Sequence, residues 1–137
     1  MQEETKVIQQ WLKDMSSSVQ TQDLKRHMAL VSKRVNVYGL PSKDSINHKQ
    51  WQQRRRNEFN KQRLLGLQHG PVKVKTLGLL RIAFNVDQTL IAKEGFVYII
   101  NKDIMLEKEE DGIWRAVEET IHHWTQKQYQ TAVGEHE

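Results

Sequence analysis

The sequence predicts an α+β domain: a curved antiparallel sheet forming a half-cone, covered by three N-terminal helices. Three observations predict it. Helical spacing of apolar residues is confined to residues 1–65, strand-like alternation fills the chain after Pro71, and one short strand interrupts the helical half. Helices set to one side of an antiparallel sheet make an α+β layer pair, and the open end of a half-cone is the usual place for a small ligand.

Taken in order, residues 2–16 read as a helix on the spacing of Val7, Ile8, Trp11, Leu12 and Met15, with Ser16-Ser17-Ser18 expected to break it. A second helix is expected from about Asp23 to Val31, with Leu24, Met28 and Val31 on one side. Val35 and Val37, flanked by Asn36 and Tyr38, alternate as a short strand that ends in the turn Gly39-Leu40-Pro41-Ser42. The third helix should start near Asp44 or Ser45 and run to about Leu65. Gly66 and Gly70-Pro71 then read as punctuation before VKVKTL and LLRIAFN. Turns are expected at Val86-Asp87-Gln88 and Asn101-Lys102-Asp103, and Asp111-Gly112 is a strong hairpin signal before IWRAVEETIHHW. The expected organisation is one domain over residues 1–125 and a polar tail over 126–137.

Composition narrows the function classes. A chain of 137 residues supports one substantial core, and without cysteine it has neither disulfides nor thiolate chemistry. No apolar run approaches a membrane span, and the acidic start MQEETKVIQQWLKDM does not resemble a signal peptide, so no membrane association and a cytoplasmic location are expected. The net charge of +4 hides a segregation: residues 24–75 carry 13 Lys/Arg against Asp44 and Glu58, while residues 76–137 carry 6 against 11 acids. Such a division suits self-association or an anion-attracting mouth better than a uniformly basic nucleic-acid surface.

Three stretches carry a resemblance. LKRHMALVSKRVNVYGLPS looks like a second helix passing into a strand, SINHKQWQQRRRNEF like a third helix with a Trp followed by an Arg, and MLEKEEDGIWRAVEET like a last hairpin ending in W-[RK]-x-V. Together with the element order, these make residues 2–124 resemble the nuclear-transport-factor-2-like superfamily, and within it the SnoaL-like and polyketide-cyclase-like proteins of cystatin-like fold. The resemblance implies a pocket and a homodimer formed through the sheet face. It implies no reaction, because the superfamily spans isomerases, dehydratases, cyclases, adaptors and non-enzymes. The Asp base and the Tyr and Asp donors used by its isomerases have no aligned counterparts here.

The candidate residues follow from helix geometry. Successive helical residues are about 100° apart, so Arg54, Arg55 and Arg56 diverge around the third helix. Arg55 lies four residues from both Trp51 and Phe59, inside the apolar stripe, with Glu58 three residues on. Arg55 is therefore either a structural ion-pair partner of Glu58 or of a last-strand acid such as Glu118, or a pocket cation for an anionic ligand. Tyr38, Trp51, Glu58 and Phe59 complete the ligand-binding set; core packing is the plainer reading of the aromatic residues. On the last strand, strict alternation puts Trp114, Ala116, Glu118, Thr120 and His122 on one face, so one of Glu118 and Glu119 must point inward. Glu118, Glu119 and His27 are the candidate acids or bases, each with a satisfied structural role as the commoner alternative. Adjacent His122 and His123 diverge and no metal-ligand spacing occurs, so no metal is expected; no nucleotide-cofactor or serine-hydrolase motif is present, so no cofactor is expected either. Small-ligand binding leads. Proton-transfer isomerase, dehydratase or cyclase chemistry is second, and nucleic-acid binding through residues 25–75 is last.

Overall fold

The computed structural model describes residues 2–41 and 43–128. Helix α1 (Gln2–Gln20) buries Ile8, Trp11, Leu12, Met15 and Val19 along one stripe. It runs through the serines rather than ending at them. Ser18 donates its hydroxyl to the Met15 carbonyl at 2.8 Å and Thr21 does the same to Ser17 at 2.9 Å, so these hydroxyls satisfy themselves on the helix backbone. Helix α2 (Leu24–Met28) is capped by Asp23, which accepts from the Arg26 backbone N–H at 3.0 Å. It is shorter than expected because strand β1 (Val31–Tyr38) starts early, burying Val31, Val35 and Val37. The indole N–H of Trp11 bonds the Leu30 carbonyl at 3.0 Å and fixes that junction.

Strand β2 (Ser45–Ile46) pairs antiparallel with the end of β1, and this pairing displaces the start of the third helix. Helix α3 (His48–Asn60) begins instead with a capping box in which Asn47 and Gln50 satisfy one another's backbone N–H groups at 2.9 Å. It ends before Leu65, where Gln62 takes a left-handed φ of 57° and turns the chain so that Leu64 is buried.

The remaining strands form the meander: β3 (Gly66–Thr76), β4 (Arg81–Ile91), β5 (Phe96–Lys108) and β6 (Trp114–Gln128). The six-stranded sheet has the order β2-β1-β6-β5-β4-β3, antiparallel apart from the parallel β1–β6 pair. Gly70 and Pro71 do not interrupt β3. They sit on an edge strand where the register shifts between His69 and Val72, a place that tolerates proline's missing N–H. The two expected internal turns are also absent: Val86 pairs with Lys102 and Asp87 with Asn101 in the middle of β4 and β5. Their turn-like composition serves a side-chain ladder, in which Asn85 and Asn101 exchange 2.9 Å bonds and Asn101 donates to Asp87 at 2.7 Å. The actual reversal lies at residues 93–95, where Glu94 and Gly95 have φ of 61° and 78°. Asp111-Gly112 does turn the last hairpin, with Gly112 at φ 84°.

Gly39 (φ 91°) permits the parallel seam. A Cβ there would lie 2.1 Å from the Ile121 carbonyl oxygen, so only glycine lets β1 leave β6 at that point. Strand β6 continues to Gln128, three residues past the expected domain end; residues 129–137 of the expected tail lie outside the described residues. Among the described residues no helix is long and apolar enough to cross a membrane.

The core divides into two clusters. The larger lies between α1 and the strands, around Ile82, Phe84, Leu106 and Ala116. The smaller lies between α3, β1 and β6, around Trp51, Val35, Val37 and Ile121. Charged side chains are buried beneath α3.

Candidate functional site

Helix α3 buries Trp51, Arg55 and Phe59, spaced four residues apart, towards the sheet. The Arg55 side chain is 3% exposed and its guanidinium carbon lies 4.2 Å from the centroid of the Trp51 ring, a cation–π contact. Its Nη1 donates to Glu58 Oε1 at 2.7 Å and its Nε to His27 Nε2 at 3.2 Å. The histidine's protonation follows from its neighbours. Ser18 has already given its proton to the Met15 carbonyl, so at 2.9 Å it can only accept from His27 Nδ1. That leaves Nε2 with the lone pair that receives Arg55. Burial, reinforced by the charges of Arg55 and Lys102, holds the His27 pKa well below the usual histidine range, consistent with this neutral tautomer.

The sheet supplies a second buried ion pair, Lys102 Nζ to Glu119 Oε1 at 2.9 Å, both side chains no more than 2% exposed. Lys102 Nζ also lies 5.3 Å from the Trp51 ring centroid. Burial lowers the ammonium's pKa, Glu119 opposes that shift, and Arg55 adds to it. Two irregularities aim these groups inward. Leu106 pairs with Ala116 but Met105 pairs with Glu118, so Val117 is an extra residue on β6. Ala116 and Glu119 therefore both face the helices, where strict alternation separates them, and Glu118 faces solvent. A second shift makes His122 extra, after which Trp124 and Gln126 face inward.

Between α3 and the sheet is a recess of about 510 Å³. Its walls are largely apolar and aromatic: Trp51, Leu90, Tyr98, Ile100, Ile121 and Trp124, with Leu40 and Pro41 at one side. Its charged lining consists of Arg54, Arg55, Lys61, Arg63 and Lys102 against Glu58, a net excess of four positive charges. Buried without hydrogen-bond partners are Trp51 Nε1, Glu119 Oε2 and Gln88 Oε1.

Of the residues singled out in the sequence, Arg55, Trp51 and Glu58 line this recess. Three others do not serve as expected. Tyr38 has the opposite strand parity from buried Val35 and Val37 and points out, 37% exposed. Phe59 is core, edge-on to His27 with ring centroids 5.7 Å apart. Glu118 is exposed, and Arg55 takes Glu58 rather than Glu118 as its partner. His27 and Glu119 are buried behind the lining, each bonded to one of its cations. Among the described residues no group of three or more His, Asp or Glu side chains is placed to hold a metal.

Lys102 is the residue that sequence reasoning misses. Its neighbours Asn101 and Asp103 suggest a turn, yet Tyr98, Ile100, Ile104 and Leu106 alternate through it in phase. That phase is the signal which places Lys102 on the inner face.

No protein-family model matches the chain, and no curated protein matches it in sequence. Solved structures do match in fold. A nuclear-transport-factor-2-like protein of unknown function from Shewanella oneidensis superimposes with a TM-score of 0.72 at 15% identity, covering 85% of this chain and 97% of that one. A candidate scytalone dehydratase from Novosphingobium aromaticivorans gives 0.72 at 11% identity, covering 93% and 89%. A cystatin-like protein of unknown function from Nostoc punctiforme gives 0.64 at 10% identity, covering 83% and 86%. The chain thus has the nuclear-transport-factor-2-like, cystatin-like fold that its element order resembles.

Proposed function

We propose that the protein binds a small organic anion with an apolar or aromatic body in the recess beneath α3. The observation that carries this reading is the pairing of aromatic walls with two nearly inaccessible cations, Arg55 and Lys102, in a lining with excess positive charge. Arg55 is held from behind by His27 and Glu58 through Nε and Nη1, so Nη2 is the group that would meet a ligand carboxylate. A cation already oriented loses little conformational freedom on binding. Arg54, Lys61 and Arg63 at the mouth would draw anions in, an effect that salt screens.

Proton-transfer chemistry has less support. The carboxylate Glu118 is outside, His27 donates and accepts within the network, and Glu119 is paired with Lys102. A nucleic-acid surface is also less supported, because Arg55 of the three arginines is turned inward. Self-association through the outer sheet face belongs to the same reading, and sedimentation of the purified chain tests it.

Titration with benzoate and with its neutral isostere benzamide tests the binding reading, read by indole fluorescence from Trp51 and Trp124 and by melting temperature. Benzoate is expected to quench and stabilise, with benzamide at least tenfold weaker. Equal responses to the two probes, or none to either, would overturn the proposal.

A further inference from the structure

The Lys102–Glu119 pair is unusual for a purely structural ion pair. A buried pair repays its desolvation only when the remaining lone pairs and protons are also satisfied. Here Glu119 Oε2 is buried with no hydrogen-bond partner, next to an amine that lines the recess. Moreover, burial and the nearby cationic Arg55 favour a neutral amine, against the pull of Glu119 and of the Trp51 ring face 5.3 Å from Nζ towards the ammonium. An amine with a carboxylate 2.9 Å away can hand over a proton along an existing hydrogen bond, giving a neutral nucleophile beside a carboxylic acid.

We propose that Lys102 is a carbonyl-capturing residue, forming an imine with a small aldehyde or ketone whose carboxylate is held by Arg55. This rests on the anion-binding reading of the same recess and adds the second functional group of its ligand. The step balances within the pair. Lys102 passes a proton to Glu119, and its lone pair attacks the carbonyl carbon while the C=O π pair moves onto oxygen. Glu119 returns its proton to that oxygen and takes one from nitrogen, giving the neutral carbinolamine. Glu119 then protonates the hydroxyl; the C–O bond breaks, water leaves, and the nitrogen lone pair closes the C=N bond. The product is a protonated imine paired with the Glu119 carboxylate, so one ammonium and one carbonyl become one iminium and one water. The unpartnered Oε2 gives the carboxylate an oxygen free to carry these protons while Oε1 stays near nitrogen.

Borohydride trapping with 4-formylbenzoate tests this, with adducts located by peptide mass mapping. One reduced adduct at Lys102 is expected at low stoichiometry of probe, suppressed by excess benzoate and formed at least tenfold more slowly with benzaldehyde. Lys102→Arg keeps the charge but cannot form an imine, so it should lose the adduct. Glu119→Gln should slow trapping at least tenfold. Adducts scattered over surface lysines, with no excess at Lys102, would overturn imine formation. If benzoate still binds in that case the anion-binding reading stands; if benzoate also fails to bind, both fall.

Discussion

Helices α1 and α3 lie against one sheet, and each offers it a buried stripe, yet they solve the task differently. The α1 stripe is Ile8, Trp11, Leu12, Met15 and Val19, meeting Ile82, Phe84 and Leu106, and that half closes on hydrocarbon. The α3 stripe is Trp51, Arg55 and Phe59, above a sheet that presents Lys102 and Glu119. Each buried charge there demands a partner, and the partner demands another: Arg55 engages His27, His27 engages Ser18, and Ser18 engages the α1 backbone. Such a chain fixes geometry without filling space, and the recess lies beside it. The difference teaches that one domain can hold its stability in one half and reserve the other for polar chemistry.

The largest effect should come from breaking the hydrocarbon half. Phe84 is fully buried and edge-on to Trp11, with ring centroids 6.4 Å apart. Phe84→Ala should cost about 3–5 kcal/mol in urea unfolding, through lost transfer energy and a cavity. If benzoate binding survives in the folded fraction, the two halves are separable; if it disappears well below the unfolding midpoint, they are not.

Acid should attack buried polar groups in both halves: His69, whose Nδ1 lies 3.1 Å from Ser16 Oγ of α1, and His27, bonded to Arg55 of α3. Burial first, and then the charge of Lys102, lowers the His69 pKa to about 4, and His27 is shifted in the same direction. In the unfolded chain both titrate near 6.5. Between pH 6.5 and 4 the unfolded state therefore binds more protons, so stability falls as pH falls, by roughly 3 kcal/mol for His69 alone. Asp103 adds a loss only at lower pH: burial would raise its pKa, but bonds from Lys75, Asn85 and His122 hold it at about 2, so its contribution fades below the usual carboxylate range. Urea midpoints at pH 7.5, 5.5 and 4.5 should decline, and His69→Gln should flatten the decline. A level profile would mean that neither histidine is held neutral by the fold.

How much of this was legible in the sequence also divides by region. The α1 stripe and the D-G hairpin could be read directly, because a helical period and a turn dipeptide are local signals. Ser16 to Ser18 misled because the hydroxyls find partners that leave the helix intact: Ser18 the Met15 carbonyl one turn back, Ser16 the His69 ring of β3. Arg55 was placed correctly by counting from Trp51 and Phe59. Glu119 was not separable from Glu118, because the extra residue Val117 reverses the strand's parity and nothing local announces a bulge. Lys102 was hidden for a related reason: Asn101 and Asp103 have turn chemistry but spend it across the sheet, on Asn85.

A smaller effect sharpens the comparison at its centre. Arg55→Met replaces a buried cation with a hydrocarbon of similar length, leaving Glu58 partly solvated and with Arg54 3.6 Å away. The remaining cost is the orphaned His27 Nε2, about 1–3 kcal/mol. Benzoate affinity should fall at least tenfold and its preference over benzamide should vanish. If stability falls like that of Phe84→Ala while the preference remains, Arg55 is a structural residue and the α3 half is simply a second core.

The smallest effect belongs to the neighbour that looks identical in sequence. Arg56 stands about 100° further around α3, exposed, with a weak 3.3 Å bond from its Nη1 to Gln53 Oε1. Exposed contacts of that kind contribute little, so Arg56→Ala should change stability by no more than about 0.5 kcal/mol and leave benzoate binding unchanged. Arg54→Ala is the informative intermediate. It removes a cation from the mouth and an exposed pair to Glu58, so benzoate affinity should weaken by less than for Arg55→Met, and the loss should shrink as salt is raised. A graded series, Arg55 far above Arg54 and Arg54 above Arg56, is what inward geometry requires. Three equal losses would instead mean that the arginines act through their summed charge, which is how a nucleic-acid surface would behave.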